Sequence, residues 1–521
     1  MDQIGIEEKA VFRFEKKDWL RLALALGISL LWFAVFSAEN IGRLLFGEAG
    51  APALGATVTT WAVWLSVLLS LGKRARWTAW SRGLAAVLLL LSLCCSIYGN
   101  VQLRTVNLLL IFCGSFLCFF SISGTARAEL TRPAILPEAV GLFFRALFRH
   151  CLKPFRALGQ LGGGSRRQLL LILLGVAAAI PLLAIVITML ASADAVFSSL
   201  FTALGSWLET ANAGSLIWKL IRILALTLLA FSALYFLAKP ETAEAESDGD
   251  TQPREKQANA PFHTVLVLLN LVYAVFVAIQ FAFLFGGAEA AAMKGGWAEY
   301  ARSGFFQLVW VSLINLGACL LCTVLPRGSR LTKILCTLLL AFTAVILFSA
   351  FWRMRLYIRV YGLSLLRAET LWAMAFIGGS LLLAGLRVWK PDFRFWPAFA
   401  ALGLCGWLAF NFMNVDARIA EYNVNAYLSG EAEEIDLRYL AKLSPDVIPA
   451  LEKLETALRD TEPELAAQAR VMIAAGRGRD LGDGWNEHTD LYRYAKRQNL
   501  GGGSGGGWAQ WNLSAARFRG K

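Results

Sequence analysis

The sequence predicts an all-α polytopic transmembrane helix bundle, and three observations predict it. About eleven apolar runs, each near the 20 residues needed to cross a bilayer, recur between residues 19 and 412. The 521-residue chain is 57% hydrophobic, with 18 Trp and 34 Phe, and this apolar content comes in uninterrupted blocks. Its basic residues cluster in alternate loops, the signature that orients membrane proteins.

The runs lie near 19–38, 53–71, 82–98, 104–123, 168–190, 215–238, 261–285, 304–325, 331–351, 369–389 and 395–412. Residues 1–18 form a short cytoplasmic segment with Lys9, Arg13, Lys16 and Lys17. The first run is too long for a signal peptide and lacks a small-residue cleavage site, so it is expected to be retained. Spans one to four occupy 19–123, with a short turn at Gly99-Asn100 between the third and fourth. Residues 124–167 form a basic inner loop. Within it, LPEAVGLFFRALFRHCLKPFRALGQ at 136–160 reads as an amphipathic helix on the anionic inner leaflet, broken near Pro154. An ordinary basic loop packed on the bundle is the alternative.

The transmembrane core continues over 168–412 with about seven more spans. DAVFSSLFTALGSWLE at 194–209 reads as an outer interfacial segment and 241–256 as a disordered acidic inner loop. A helical extramembrane tail follows at 413–500. Ser444-Pro445-Asp446 suits a helix start, Thr461 and Glu464 have capping-box spacing, and Leu451, Leu454 and Leu458 recur with helical period. A Gly-rich linker and a WAQWN segment close the chain at 501–521.

Charge fixes the expected orientation. The early inner segments hold most of the Lys and Arg, whereas the early outer loops hold only Arg43 and Arg104. The N-terminus is therefore expected inside and, with an odd number of spans, the tail outside. The tail carries 14 Lys/Arg against 16 Asp/Glu, so the net charge of +13 belongs to the membrane half. That placement argues against nucleic-acid binding.

Nine Cys fall mostly inside apolar runs, where thiols act as small hydrophobes. Cys319 and Cys322 form a CxxC without redox or zinc-ribbon surroundings. The three His are scattered, so no metal or cofactor is expected. Neither a nucleotide-binding loop nor a nucleophile elbow occurs.

The charge pattern breaks at one place. RMRLYIRVYGLSLLRAE, read as the loop between the ninth and tenth spans, puts Arg353, Arg355, Arg359 and Arg367 outside. Arg355 and Arg359 are four apart and share a face if helical. Tyr357 and Tyr361 add an amphipathic surface at interface depth. The same topology places Asp194, then Glu299, Tyr300 and Arg302, and then Asn414, Asp416, Arg418, Glu421 and Asn423 on that side. Three readings stand: Asp416, Glu299 and Glu421 neutralise the arginines and dock the tail, the arginines face an anionic ligand, or the span count differs and the segment lies on the inner side. Inside the spans, Asn270, Gln280, Gln307 and Asn315 are uncharged polar groups able to join helices.

From about residue 180 the chain resembles the bacterial multi-pass membrane family termed domain of unknown function 4173. The stretches that carry this are ASADAVF at 191–197, QFAFLFGG at 280–287 and EYARSGFFQLV at 299–309. SAFWRMRLYIRVYGLSLLR at 349–367, NVDARIAEYN at 414–423 and DLRYLAKLSPDVIPAL at 436–451 complete the set. The chain departs from that pattern in Asn-Val-Asp at 414–416, where the family has Asn-Pro-Asp, and in Ser364, where it has Thr. The resemblance implies a bacterial inner-membrane protein without an assigned activity. The expected function is a non-enzymatic envelope scaffold or sensor whose outer face binds an anionic lipid or lipid-linked envelope precursor. A transporter or flippase, and a membrane-embedded transferase using Asp194, Glu299 or Asp416 as base, remain open. The bilayer is the expected partner, together with a possible membrane-protein partner.

Overall fold

A computed structural model describes residues 14–46, 48, 50–158, 213–239, 260–285, 305–324, 330–479, 489–498, 500 and 508–518. The predicted span at 168–190, the segment at 194–209, the acidic loop at 241–256 and the linker at 501–507 lie outside these residues.

The described chain is helical throughout, and eight of its helices are long and apolar enough to cross a membrane. They are α1 (Lys16–Val35), α3 (Leu54–Leu71), α4 (Ala79–Ile97), α5 (Val101–Ser123), α8 (Ala213–Ala238), α11 (Arg330–Tyr361), α12 (Leu365–Trp389) and α13 (Phe395–Phe412). Two more, α9 (Ala260–Phe285) and α10 (Phe305–Val324), contain shorter apolar helices at His263–Ile279 and Gln307–Leu320. A short α2 (Ala38–Leu45), capped by Ser37, links α1 to α3. The amphipathic segment divides into α6 (Ile135–Phe148) and α7 (Lys153–Leu158), and Pro154 sits in the first turn of α7, where its missing N–H costs nothing.

The tail comprises α14 (Val415–Leu428), α15 (Leu437–Lys442), α16 (Ile448–Leu458), α17 (Pro463–Arg477), α18 (Thr489–Arg497) and α19 (Leu513–Phe518). Ser444 precedes a 3-10 turn at Pro445–Val447 that feeds α16. The start of α17 departs from expectation. Glu462, not Thr461, is its N-cap, and Pro463 supplies the fixed φ of the first turn.

Three apolar cores hold the bundle together. One gathers α1, α3, α4, α5, α6 and α8 around Leu88, Phe120 and Phe231. A second joins α9 to α13 around Leu339, Ile346 and Ala350. The third is the tail's own: Ile419, Leu440, Ile448, Leu451 and Leu454 pack together and continue onto Leu91, Leu103, Leu365, Trp407 and Phe410 of the bundle. The tail thus shares an apolar core with both halves of the membrane domain, and each tail side chain buried from water in it contributes roughly 1.5–3 kcal/mol.

Contacts also sort the helix ends. Asn100 and Tyr98 after α4 meet Asp416 and Phe412, and Leu363 after α11 meets Asn423. The α4–α5 turn, the α11–α12 corner and the tail therefore share one end of the bundle. At the opposite end Lys239 meets Glu15 and Arg76 N–H meets the Ile122 carbonyl.

α11 differs from expectation. Its 32 residues span about 48 Å at 1.5 Å per residue, against a hydrocarbon core of about 30 Å. The arginine segment read as a loop is therefore helix as far as Tyr361, and only Gly362 to Ser364 separate it from α12.

Candidate functional site

The tail is seated on the bundle by a buried carboxylate. Asn414, in the left-handed region at φ 52°, turns the chain between α13 and α14, a conformation Asn tolerates better than most residues. Asp416 follows in the first turn of α14 and is 2% exposed. One carboxylate oxygen accepts from Asn100 Nδ2 at 2.6 Å and the other from the Ser444 backbone N–H at 2.9 Å. Asn100 also caps α5 by accepting from Leu103 N–H. A single pair of side chains thus ties the α4–α5 turn to the tail.

Amides and an arginine extend this cluster into the membrane domain. Asn107 donates to Asn411 at 2.7 Å and accepts from Trp407 Nε1 at 2.7 Å. Arg104, buried, donates to the carbonyls of Ala51 and Tyr98. Arg104, Asn107, Asn411 and Asp416 line a cavity of about 10 Å³, room for one water at most. Gly99 is needed beside it, since a Cβ there would come within 2.6 Å of Ser444 Cβ. Burial pushes the Asp416 carboxyl above the usual carboxylate range, partly offset by the hydrogen bonds from Ser444 and Asn100. Nearby Asp446 is raised by burial as well, with the Asp416 charge adding to the effect.

The arginine segment forms a second feature at the same end. Asn423 clasps the α11–α12 corner, accepting from Leu363 N–H at 2.7 Å and donating to its carbonyl at 2.8 Å. Tyr439 accepts from Leu365 N–H at 2.7 Å, and burial pushes its phenol up to about 12. Gly362 has φ +73°, which a side chain would strain. Arg367 donates to the carbonyls of Tyr361 and Gly362 and lies over the Tyr357 ring at 4.5 Å. Arg353 is buried, whereas Arg355 and Arg359 are exposed on successive turns.

The polar groups expected to converge are thus divided. Tyr357, Tyr361, Arg367 and Asn423 gather at the corner. Asp416 bonds to Asn100 and Ser444 rather than to an arginine, and Glu421 pairs with Arg418 at 3.0 Å on the surface. Among the described residues, neither of these carboxylates neutralises the α11 arginines. Asp194, Glu299, Tyr300 and Arg302 lie outside the described residues, as does the side chain of Gln280. Gln307 is exposed. Asn270 donates to the Leu335 carbonyl and Asn315 to Thr343 Oγ1, so both join helices to α11. Among the described residues no His, Cys, Asp and Glu group of metal-binding size occurs.

Asn100, Arg104 and Asn107 were not expected here. Their spacing of four and three puts them on one helical face at the head of an apolar run, and that pattern is a readable signal. A charge network at the opposite end was missed too. Asp18 and Arg21 form a buried ion pair, Arg21 donates to Ser70, and Lys239 reaches Asp18 at 3.7 Å.

Comparison with known families decides the membership. The family described as "Domain of unknown function (DUF4153)" matches residues 85–454. The chain belongs to this family. The match runs from α4 to α16 and includes Asn100, Asp416, Ser444 and the α11–α12 corner. It replaces family 4173 in the resemblance drawn from the sequence motifs, while leaving the implication of a family without an assigned activity. No curated protein and no solved structure matches the chain.

Proposed function

We propose that this multi-pass membrane protein is a non-enzymatic scaffold or sensor of a bacterial inner membrane. Its tail-bearing face lies outside the cytoplasm and binds an anionic lipid, or the headgroup of a lipid-linked envelope precursor, at Arg355 and Arg359. One observation carries this reading. Phe348 and Trp352 are exposed on α11, and Arg355 and Arg359 continue the same face at spacings of four, three and four. An apolar stripe that ends in two guanidinium groups matches a phospholipid, whose chains lie beside its phosphate. The sequence charge asymmetry supports the orientation.

The clamp geometry favours a fixed tail over a reacting one. Both Asp416 oxygens are engaged as acceptors beside a one-water cavity, which favours a clamp over a general base. Asn270 and Asn315 donate to neighbouring helices, which favours packing over a solute path.

The test is native mass spectrometry of the protein released from vesicles containing anionic and zwitterionic phospholipid. Arg355→Gln/Arg359→Gln should retain several-fold less anionic lipid while its level in the membrane stays normal. Unchanged lipid retention would refute the reading, and loss of the protein from the membrane would make the arginines structural.

A further inference from the structure

An exposed apolar surface lies at the opposite end of the bundle, on α6. This helix has two apolar faces. Ile135, Ala139, Leu142 and Ala146 are buried against the bundle. Leu136, Val140, Phe144, Phe148 and, just past the helix end, Leu152 recur every four residues, and each is more than half exposed. An interfacial helix lying on water-facing protein would expose a polar face instead.

The depth of α6 says what covers the second face. Phe143 packs on Phe116 and Phe112 of α5 at 4.7 and 5.9 Å between ring centroids. Those residues lie seven and eleven positions before Ser123, about 10 and 16 Å from the end of α5. Ser232 of α8 donates to the Ala146 carbonyl and accepts from His150 N–H. It lies six positions before Ala238, about 9 Å inside the end of α8. The Phe143–His150 part of α6 and its C-terminal turn therefore meets α5 and α8 about 9–16 Å inside their ends, and Arg145 and Arg149 are exposed one position after Phe144 and Phe148. Their long stems allow the charged heads to reach headgroup level.

We infer that the Leu136–Leu152 stripe lies among the acyl chains of the leaflet at this end, with Arg145 and Arg149 holding anionic phospholipid headgroups. The stripe continues the lipid-facing surface of the spans, and the charge complements an anionic leaflet. This site uses none of the residues at the tail-bearing end, so either assignment can fail alone.

The test places benzoylphenylalanine at Phe144 or at Phe148 in the full-length protein, in vesicles of phosphatidylcholine and phosphatidylglycerol. Irradiation should give lipid adducts on a single chain at both positions, whereas the probe at Leu142 should crosslink within the chain. Crosslinks at 144 and 148 to a second copy, or no lipid adducts at either, would overturn the assignment. Arg145→Gln/Arg149→Gln should lower the share of phosphatidylglycerol among the adducts several-fold, and an unchanged share would overturn the headgroup assignment.

Discussion

Asn100 donates to Asp416 across 2.6 Å, joining two parts of the chain that lie 316 positions apart. The same Asp416 accepts from Ser444 N–H, so one carboxylate spans the α4–α5 turn, the first tail helix and the 3-10 turn before α16. Removing it strands two buried donors. Asp416→Ala should therefore destabilise the docked tail by roughly 1–3 kcal/mol for each donor left unpaired. Limited proteolysis of the tail should accelerate accordingly while the membrane helices remain protected.

Asp416 and Asp446 both have raised folded-state pKa values because both are buried, so protonation favours the docked state. Their contribution to docking is complete below the ordinary carboxylate value of about 3.9 and is lost as pH rises through the raised value. The tail should be more protease-resistant at mildly acidic pH than at alkaline pH. Asp446→Asn should flatten this dependence, and a profile that rises with pH instead would contradict it.

Gly362→Ala combines two penalties. Its φ of +73° disfavours a side chain, and the new Cβ would lie 2.7 Å from Asn423 Oδ1, the acceptor for Leu363. A loss of roughly 1–3 kcal/mol is expected for the strained backbone, read as a lower thermal midpoint. Tyr439→Phe, which removes only the acceptor for Leu365 N–H, should be milder.

At the opposite end, Arg21→Gln leaves the buried Asp18 with the partly exposed Lys239, 3.7 Å away, as its remaining cationic partner. Breaking a buried pair from one side costs up to roughly 3–5 kcal/mol and Lys239 offsets part of it, so the level of folded protein in the membrane should fall. Replacing Asp18 and Arg21 together by apolar residues of similar volume should restore much of that level.

The spans among the described residues were legible because bilayer crossing is a compositional requirement: Leu-, Val- and Phe-rich runs of about 20 residues leave little choice. The far end of α11 was not. Arg353, Arg355 and Arg359 break the apolar run, and polar content reads as a loop, although a helix leaving the bilayer keeps its own backbone bonded. The clamp was only partly legible. Asp416 stood out as a carboxylate beside a span, but its partners Asn100 and Ser444 become neighbours only when α4, α13 and the tail pack. The division between Asp416 and the arginines depends on which face of α14 meets the bundle, and Ile419 and Val424, buried in the tail core, settle that. Asn423 lies seven residues after Asp416 on the same face of α14, two turns along, and so meets the α11–α12 corner instead of the α4–α5 turn.

The side on which the tail-bearing end lies tests the central claim most directly. In a background freed of the nine native cysteines, Glu433→Cys on the exposed tail surface and Lys73→Cys after α3 are treated with a membrane-impermeant maleimide. In intact cells Glu433→Cys should label and Lys73→Cys should label only after permeabilisation. Labelling of Glu433→Cys only after permeabilisation would contradict an extracytoplasmic Arg355–Arg359 face.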